Sequence, residues 1–351
     1  MSDFSVVNHT LLPKGFGRTP AEDYWHLREH VQLWDVGCQR QVEVHGSDAA
    51  RLVQWITPRD LRQAQVGQCL YAPIIDERAG MLNDPIILKL AQDRFWLSIA
   101  DSDLLLWVNG LARGCGMNVD VFEPDVWPMA VQGPAADTLM ERVFPGVSKL
   151  RFFRFDWFDF AGTSLLIARS GFSKQGGFEI YLHDPSLGVA LWETLWAAGQ
   201  DIDVAPGCPN LIERIEGGLL SYGNEMTREN NPLECNLDDY CTLDGSLDFV
   251  GCEALLALAK DGPQRRIRGV LIEGDALGPP RHPWSILDGD LPVGQVTSAA
   301  WSPRFRSNVA LGMVDRVAWD GGRPVTVVTD AGERRVGTIV PLPFQDKNKP
   351  E

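Results

Sequence analysis

Apolar positions along the chain change period several times, and each change predicts an element. Phe4–Pro13 is half apolar and ends at a proline, which reads as extended or loop-like. Thr19, Pro20 and Glu22 then have the order of a capping box with proline in the first turn. Tyr24, Leu27, Val31 and Leu33–Trp34 follow at roughly helical spacing, so the pattern predicts a helix running on towards Trp34. Gln41-Val42-Glu43-Val44 alternates as a strand, and Gly46-Ser47-Asp48 opens a helix through Ala49–Trp55. Gln68–Ile75 reads as a strand, Asp76–Gly80 as a tight turn and Met81–Leu90 as the returning partner. Arg94–Ile99 gives a third strand and Asp101–Ala112 a helix. Val126–Gly133 and Phe152–Phe160 return to strand periodicity, separated by a helix over Ala135–Val143. Ser164–Ala168 continues as strand, and Leu187–Ala198 and Asn210–Leu220 read as helices. Beyond the turn-rich Asp261–Arg266 the text is β-like, at Ile267–Glu273, Val293–Thr297, Val309–Val314 and Val325–Val328. The fold class is therefore α+β for roughly the first 250 residues, with a small β-rich C-terminal domain.

Two polar features interrupt these patterns. In Arg169–Tyr181 a strand end leads through a glycine-containing turn into a second strand, on which Glu179 and Tyr181 are two apart and share a face. Taken alone, this is a hairpin with two polar side chains in water, or a carboxylate and a phenol aimed at one target. Asn83-Asp84-Pro85 lies inside an otherwise apolar return strand. Proline confines Asp84 to extended geometry and removes a ladder donor, so the point is a turn, an edge or a bulge.

Composition narrows the function classes. The net charge of −15 comes without a basic block, which argues against a nucleic-acid surface or an anionic membrane partner. No apolar run approaches a membrane span, and Met1-Ser2-Asp3-Phe4 lacks a signal-peptide pattern, so the expected location is cytoplasmic. Seven scattered cysteines and six histidines form no C-x-x-C or H-E-x-x-H arrangement, and no metal site is expected. The glycine-rich nucleotide motifs and the G-x-S-x-G elbow are also missing.

The order of motifs supplies more. Leu33-Trp34-Asp35-Val36, Gly80-Met81-Leu82-Asn83-Asp84, Gly176-Gly177-Phe178-Glu179-Ile180, Arg214-Ile215-Glu216-Gly217-Gly218-Leu219, Asn231-Pro232-Leu233-Glu234, Gly294-Gln295-Val296-Thr297-Ser298 and Asn308-Val309-Ala310-Leu311-Gly312 occur in sequence. In this the chain resembles the T-protein (aminomethyltransferase) superfamily of tetrahydrofolate-dependent one-carbon enzymes along nearly its whole length. Within it, Cys38-Gln39-Arg40-Gln41-Val42-Glu43, Arg169-Ser170-Gly171, Gly207-Cys208-Pro209-Asn210 and Trp301-Ser302-Pro303-Arg304-Phe305 are most similar to the dimethylsulfoniopropionate demethylase branch.

The resemblance implies a three-domain cloverleaf: residues 1–46 with 127–250, residues 47–126, and a β-rich domain at 262–351. It implies tetrahydrofolate as cofactor, with Asp84 near the folate ring as the catalytic carboxylate and Glu179 on the pterin's N–H edge. Tyr71 and Tyr181 would line the folate pocket, and Tyr181 with Phe172 would meet a small-molecule sulfonium substrate. The implied reaction is methyl transfer from that sulfonium to N5 of tetrahydrofolate; transfer from another small donor, aminomethyl transfer, or folate binding without turnover are the alternatives. Trp301 and Arg304 are expected to close the channel, hold a carboxylate or make a domain contact. Asn210 stands where the aminomethyltransferase branch usually has an arginine, and Pro343-Phe344 leads into Gln345-Asp346-Lys347 instead of a tyrosine-bearing tail; both favour the demethylase branch. That branch typically carries a further N-terminal segment before the piece matching Phe4-Ser5-Val6-Val7-Asn8, so the resemblance implies either an incomplete start or a changed pocket wall here, which bears on the substrate more than on the reaction class. Homodimer formation is left open by the sequence.

Overall fold

The computed structural model describes residues 4–99 and 103–345, which fall into two compact units. The first comprises the described residues of Met1–Ile74, Leu82–Asn210 and Asp248–Val250, the second those of Ile75–Met81, Leu211–Leu247 and Gly251–Glu351.

The first unit is built on two sheets. The larger runs in the order Phe155–Phe160, Thr163–Ala168, Gly177–Leu182, Trp127–Gln132, Val31–Asp35, Val204–Gly207. Its Gly177–Leu182 strand is interior, with all six residues buried. Phe178, Ile180, Val131, Ile167 and Leu33 point into one core with residues of the helices Ala136–Val143 and Gly188–Ala198. Burying each such side chain contributes about 1.5–3 kcal/mol. Period-two alternation sends Glu179 and Tyr181 to the other face, opposite Ala130 and Ala168 and opposite Pro128 and Leu166 respectively.

The second sheet runs Asp120–Phe122, Arg40–His45, Arg94–Ile99, Ile86–Ala91, Cys69–Tyr71. Val42, Val44, Leu70, Ile87, Phe95 and Leu97 fill a core with residues of the helices Ala49–Trp55 and Leu104–Gly114. Cys69, Leu88 and Trp96, on the opposite face, join Phe155, Leu166, Ala168 and Tyr181 in a further cluster. That cluster is where the two sheets meet within this unit.

The second unit carries a closed six-stranded barrel, Arg265–Ile272, Ser307–Asp315, Leu291–Ser302, Trp284–Asp288, Pro324–Val328, Arg334–Val340 in spatial order. Val270, Ile286, Val296, Ala299, Val314, Val327 and Ile339 fill it. The architecture is thus mixed helix and sheet with a β-barrel C-terminal domain, as the sequence pattern predicts.

Several elements differ from their expected bounds. The capped helix is Pro20–Glu29, with the Thr19–Glu22 capping box formed. Val31–Asp35 is instead a strand whose first four residues are all buried; a strand covered on both faces has no alternation to distinguish it from a helix. Phe4–Val7 and Thr10–Pro13 pair as a hairpin. The helix expected at Asp101–Ala112 is Leu104–Gly114, and Asp101 lies outside the described residues. That expected over Asn210–Leu220 is the short Leu211–Glu216. The helix Cys252–Asp261 and the strands Trp284–Asp288 and Arg334–Val340 lie outside the elements that the sequence pattern predicts. In the last of these only Gly337 and Ile339 are buried, so its apolar signal is weak.

Candidate active site

The Asp84-Pro85 step is a break in the chain's strands. Met81–Asn83 ends before it and Ile86–Ala91 begins after it. Without an N–H on Pro85 the ladder cannot continue, and Asp84 projects half-buried from the interruption. Tyr71, at the end of the neighbouring Cys69–Tyr71 strand, donates its hydroxyl to Asp84 Oδ2 at 2.7 Å. Arg59 in turn donates to the Tyr71 carbonyl oxygen. The carboxylate of Asp84 is thereby held in one orientation by a neutral donor.

Glu179 is only 7% exposed. Its carboxylate accepts a short hydrogen bond from the Ser170 hydroxyl, and no ion pair joins it to a cation among the described residues. Burial pushes its carboxyl pKa up, and the Ser170 bond opposes that. The contrast with other buried carboxylates of the chain is clear. Glu43 holds Arg94 at 2.6 and 3.0 Å and Trp96 Nε1 at 2.7 Å, and Glu225 holds Arg214 at 2.7 Å. A buried carboxylate without a cation is costly unless something else supplies donors.

Tyr181 is 1% exposed and packs its ring against Trp96, with centroids 5.7 Å apart. Burial, then the charge of Glu179 and the Cys69 thiol, hold the phenol far above its ordinary pKa, against a hydrogen bond from Ser98. It is a neutral hydroxyl at any working pH. Cys69 is likewise held protonated by burial and by Glu179. Phe172 is half-buried in the loop between Ala168 and Gly177. Asp84 with Tyr71, and Glu179 with Tyr181, therefore all belong to the first unit, on or beside the facing surfaces of its two sheets.

The loop that carries Ser170 and Phe172 is braced by a residue not singled out from the sequence. Gln132 is buried, donates to the carbonyl oxygens of Ser170 and Phe178 at 3.2 and 3.3 Å, and accepts from Ser173 Oγ at 2.7 Å. A Cβ on Gly177, whose φ is +139°, would lie 2.2 Å from the Val131 carbonyl oxygen and 2.7 Å from Gln132 Nε2. The glycine is required for this approach of backbone to side chain. A separation of about forty residues in sequence between Gln132 and the loop hides the contact from any local pattern.

Other expected groups are used elsewhere. Arg304 lies 3.8 Å from Glu216 and over the Phe305 ring, while Glu216 also accepts from Ser302 Oγ at 2.6 Å. Arg214, the arginine of the R-x-E motif, is buried and donates to Glu225, Ser298 and the Leu219 carbonyl oxygen. Asn210 donates to Asp23 Oδ2 at 3.4 Å. Among the described residues no helix is long and apolar enough to cross a membrane.

Comparison with known proteins identifies the family. Residues 3–245 match the GCVT N-terminal domain, and residues 265–346 match the glycine cleavage T-protein C-terminal barrel domain. The chain is 52% identical to dimethylsulfoniopropionate demethylase DmdA of Ruegeria pomeroyi, over 95% of this chain and 91% of that protein. It is 29% identical to an aminomethyltransferase of Halothermothrix orenii, over 92% and 90% of the two chains. The crystal structure of glycine cleavage system aminomethyltransferase T from Bartonella henselae superposes with a TM-score of 0.86 at 26% identity, covering 98% of this chain and 94% of that one. The chain belongs to the glycine cleavage T-protein (aminomethyltransferase) family.

Proposed function

We propose that this protein is a cytoplasmic, tetrahydrofolate-dependent methyltransferase that demethylates dimethylsulfoniopropionate, giving methylmercaptopropionate and 5-methyltetrahydrofolate. The observation that carries the folate reading is Glu179, a buried carboxylate with a serine but, among the described residues, no cation to answer it. An edge of adjacent N–H donors, such as a pterin presents, suits such a carboxylate, because an ionised carboxylate accepts two parallel bonds. The choice of donor rests on the 52% likeness to the Ruegeria demethylase along nearly both whole chains. The division into residues 1–46 with 127–250, 47–126 and 262–351 belongs to the same reading.

When bound, tetrahydrofolate supplies a neutral, nucleophilic N5. The protein's own part is positioning, exclusion of water and placement of charge. Glu179 and the Tyr181 hydroxyl hold the pterin side. Asp84, oriented by Tyr71, offers negative charge where positive charge develops and a path for the released proton. The sulfonium is met by aromatic faces including Phe172 and Tyr181, each worth about 0.5–2 kcal/mol as a cation–π contact. The sulfur leaves as a neutral thioether, taking the S–CH3 bonding pair, so the transfer needs no covalent enzyme intermediate.

The test is incubation of the purified protein with tetrahydrofolate and dimethylsulfoniopropionate, following both products by chromatography. Stoichiometric 5-methyltetrahydrofolate and methylmercaptopropionate are expected. Folate binding without turnover of this or any other small methyl or aminomethyl donor would refute the enzymatic reading.

A further inference from the structure

One row of side chains crosses the second sheet of the first unit. Tyr71 lies opposite Ile86, Ile86 opposite Ser98, and Ser98 opposite Gln41. Residues directly opposite share a face, and Glu43, Trp96, Leu88 and Cys69 form the next row on that same face. This is the face that meets Tyr181. Gln41 is 1% exposed. Its amide nitrogen donates to the Gln39 carbonyl oxygen at 3.3 Å and to Ser98 Oγ at 3.1 Å, and Ser98 is hydrogen-bonded to Tyr181. The amide oxygen of Gln41 is fully buried and has no hydrogen-bond partner among the described residues. Turning the amide over would let the oxygen accept from the Ser98 hydroxyl, but it would also set that oxygen against the Gln39 carbonyl oxygen and take the amide nitrogen away from both of its acceptors. A buried acceptor without a donor costs about 1–3 kcal/mol, a cost that a ligand's polarised hydrogens would relieve.

The chemistry of the proposed donor says what that is. A sulfonium head has no N–H or O–H; it presents positively polarised methyl and methylene hydrogens to acceptor dipoles, carboxylates or aromatic faces. A full carboxylate would hold the cation strongly in the ground state and lose that attraction as the charge leaves sulfur. A neutral amide dipole orients the cation with a smaller loss in the transition state. We propose that Gln41 is a substrate-orienting residue: its amide oxygen contacts the cationic head of a small sulfonium, and Ser98 ties that contact to the Tyr181 hydroxyl. This rests on the demethylase reading above and deepens it.

The test separates charge recognition from folding and from folate. Gln41→Met keeps length and apolar volume but removes the amide dipole. It should raise KM for dimethylsulfoniopropionate about tenfold, leave the Kd for tetrahydrofolate within about twofold, and leave the Ki of the neutral thioether methylmercaptopropionate within about twofold. Gln41→Glu should instead lower both KM for the sulfonium and kcat, a split that a structural role does not produce. An unchanged KM in Gln41→Met, or equal weakening of sulfonium, thioether and folate, overturns the inference while leaving the demethylase reading intact. A wild-type protein that turns over no sulfonium overturns both.

Discussion

Glu179→Gln tests the site from two sides at once. The substitution is isosteric, keeps an acceptor for Ser170 and removes a buried charge that no cation among the described residues answers. Of the two charge-assisted bonds to ligand N–H groups, one becomes a weaker neutral bond and the other is lost, because the amide NH2 donates and cannot accept, a loss of about 1–3 kcal/mol or roughly 5- to 150-fold in Kd for tetrahydrofolate. The same change should stabilise the unliganded protein. The folded-state pKa of Glu179 is raised above its ordinary 4.5. Its contribution to stability is therefore fully present below about pH 4.5 and lost as pH rises through the raised value. Each unit of elevation is worth about 1.4 kcal/mol. The melting temperatures of wild type and variant should nearly coincide at the acid end, then diverge in favour of the variant as pH rises, levelling once the native carboxyl is ionised. Ligand N–H donors favour the ionised form, so wild-type folate affinity should fall with decreasing pH below the raised pKa, and that dependence should vanish in the variant. Fluorescence titration and thermal melts across pH 4.5–9 read both quantities. A variant that binds folate as tightly as wild type, or that is less stable at high pH, refutes the assignment.

Three further outcomes follow from the geometry. Tyr71→Phe removes the 2.7 Å bond to Asp84 and should lower kcat by roughly 2- to 15-fold, corresponding to about 0.5–1.5 kcal/mol, with folate Kd little changed in stopped-flow binding. Gln132→Leu leaves the Ser170 and Phe178 carbonyls without their side-chain donor and Ser173 without its acceptor; both thermal stability and folate affinity should fall, the latter through the displaced Glu179 and Ser170. Glu225→Gln breaks the buried pair with Arg214, which should cost about 3–5 kcal/mol in chemical denaturation, while kcat per folded molecule stays within twofold of wild type.

What the sequence made legible was local. Two residues apart on a strand means one face, so the pairing of Glu179 with Tyr181 could be read before any coordinates. The proline after Asp84 announced a broken ladder, and the break lies there, between Asn83 and Ile86. The depth of the Gly177–Leu182 strand was not legible: Arg169–Tyr181 reads equally well as a surface hairpin, and only the flanking strands from residues 127–132 and 163–168 make it interior. Gln41, Ser98, Ser170 and Gln132 escaped for the same reason. Each is an ordinary polar residue until strand register sets it beside a partner tens of residues away. Arg214 shows the converse, since a recognisable motif arginine turns out to serve Glu225 and Ser298.

The interior strand Gly177–Leu182 has a consequence for how a ligand gets in and out. Its odd and even positions belong to different cores, so any excursion that released Glu179 would also strip Phe178 and Ile180 from theirs. The strand has no low-energy opening of its own, and its interior amides should exchange with solvent only when the whole unit unfolds. Traffic through the site must then be admitted by the segments that end at it, the 170–176 loop and the Asp84-Pro85 break. Hydrogen exchange that is fast in those two segments and slowest at Phe178 and Ile180 would map the door and the wall of the same room.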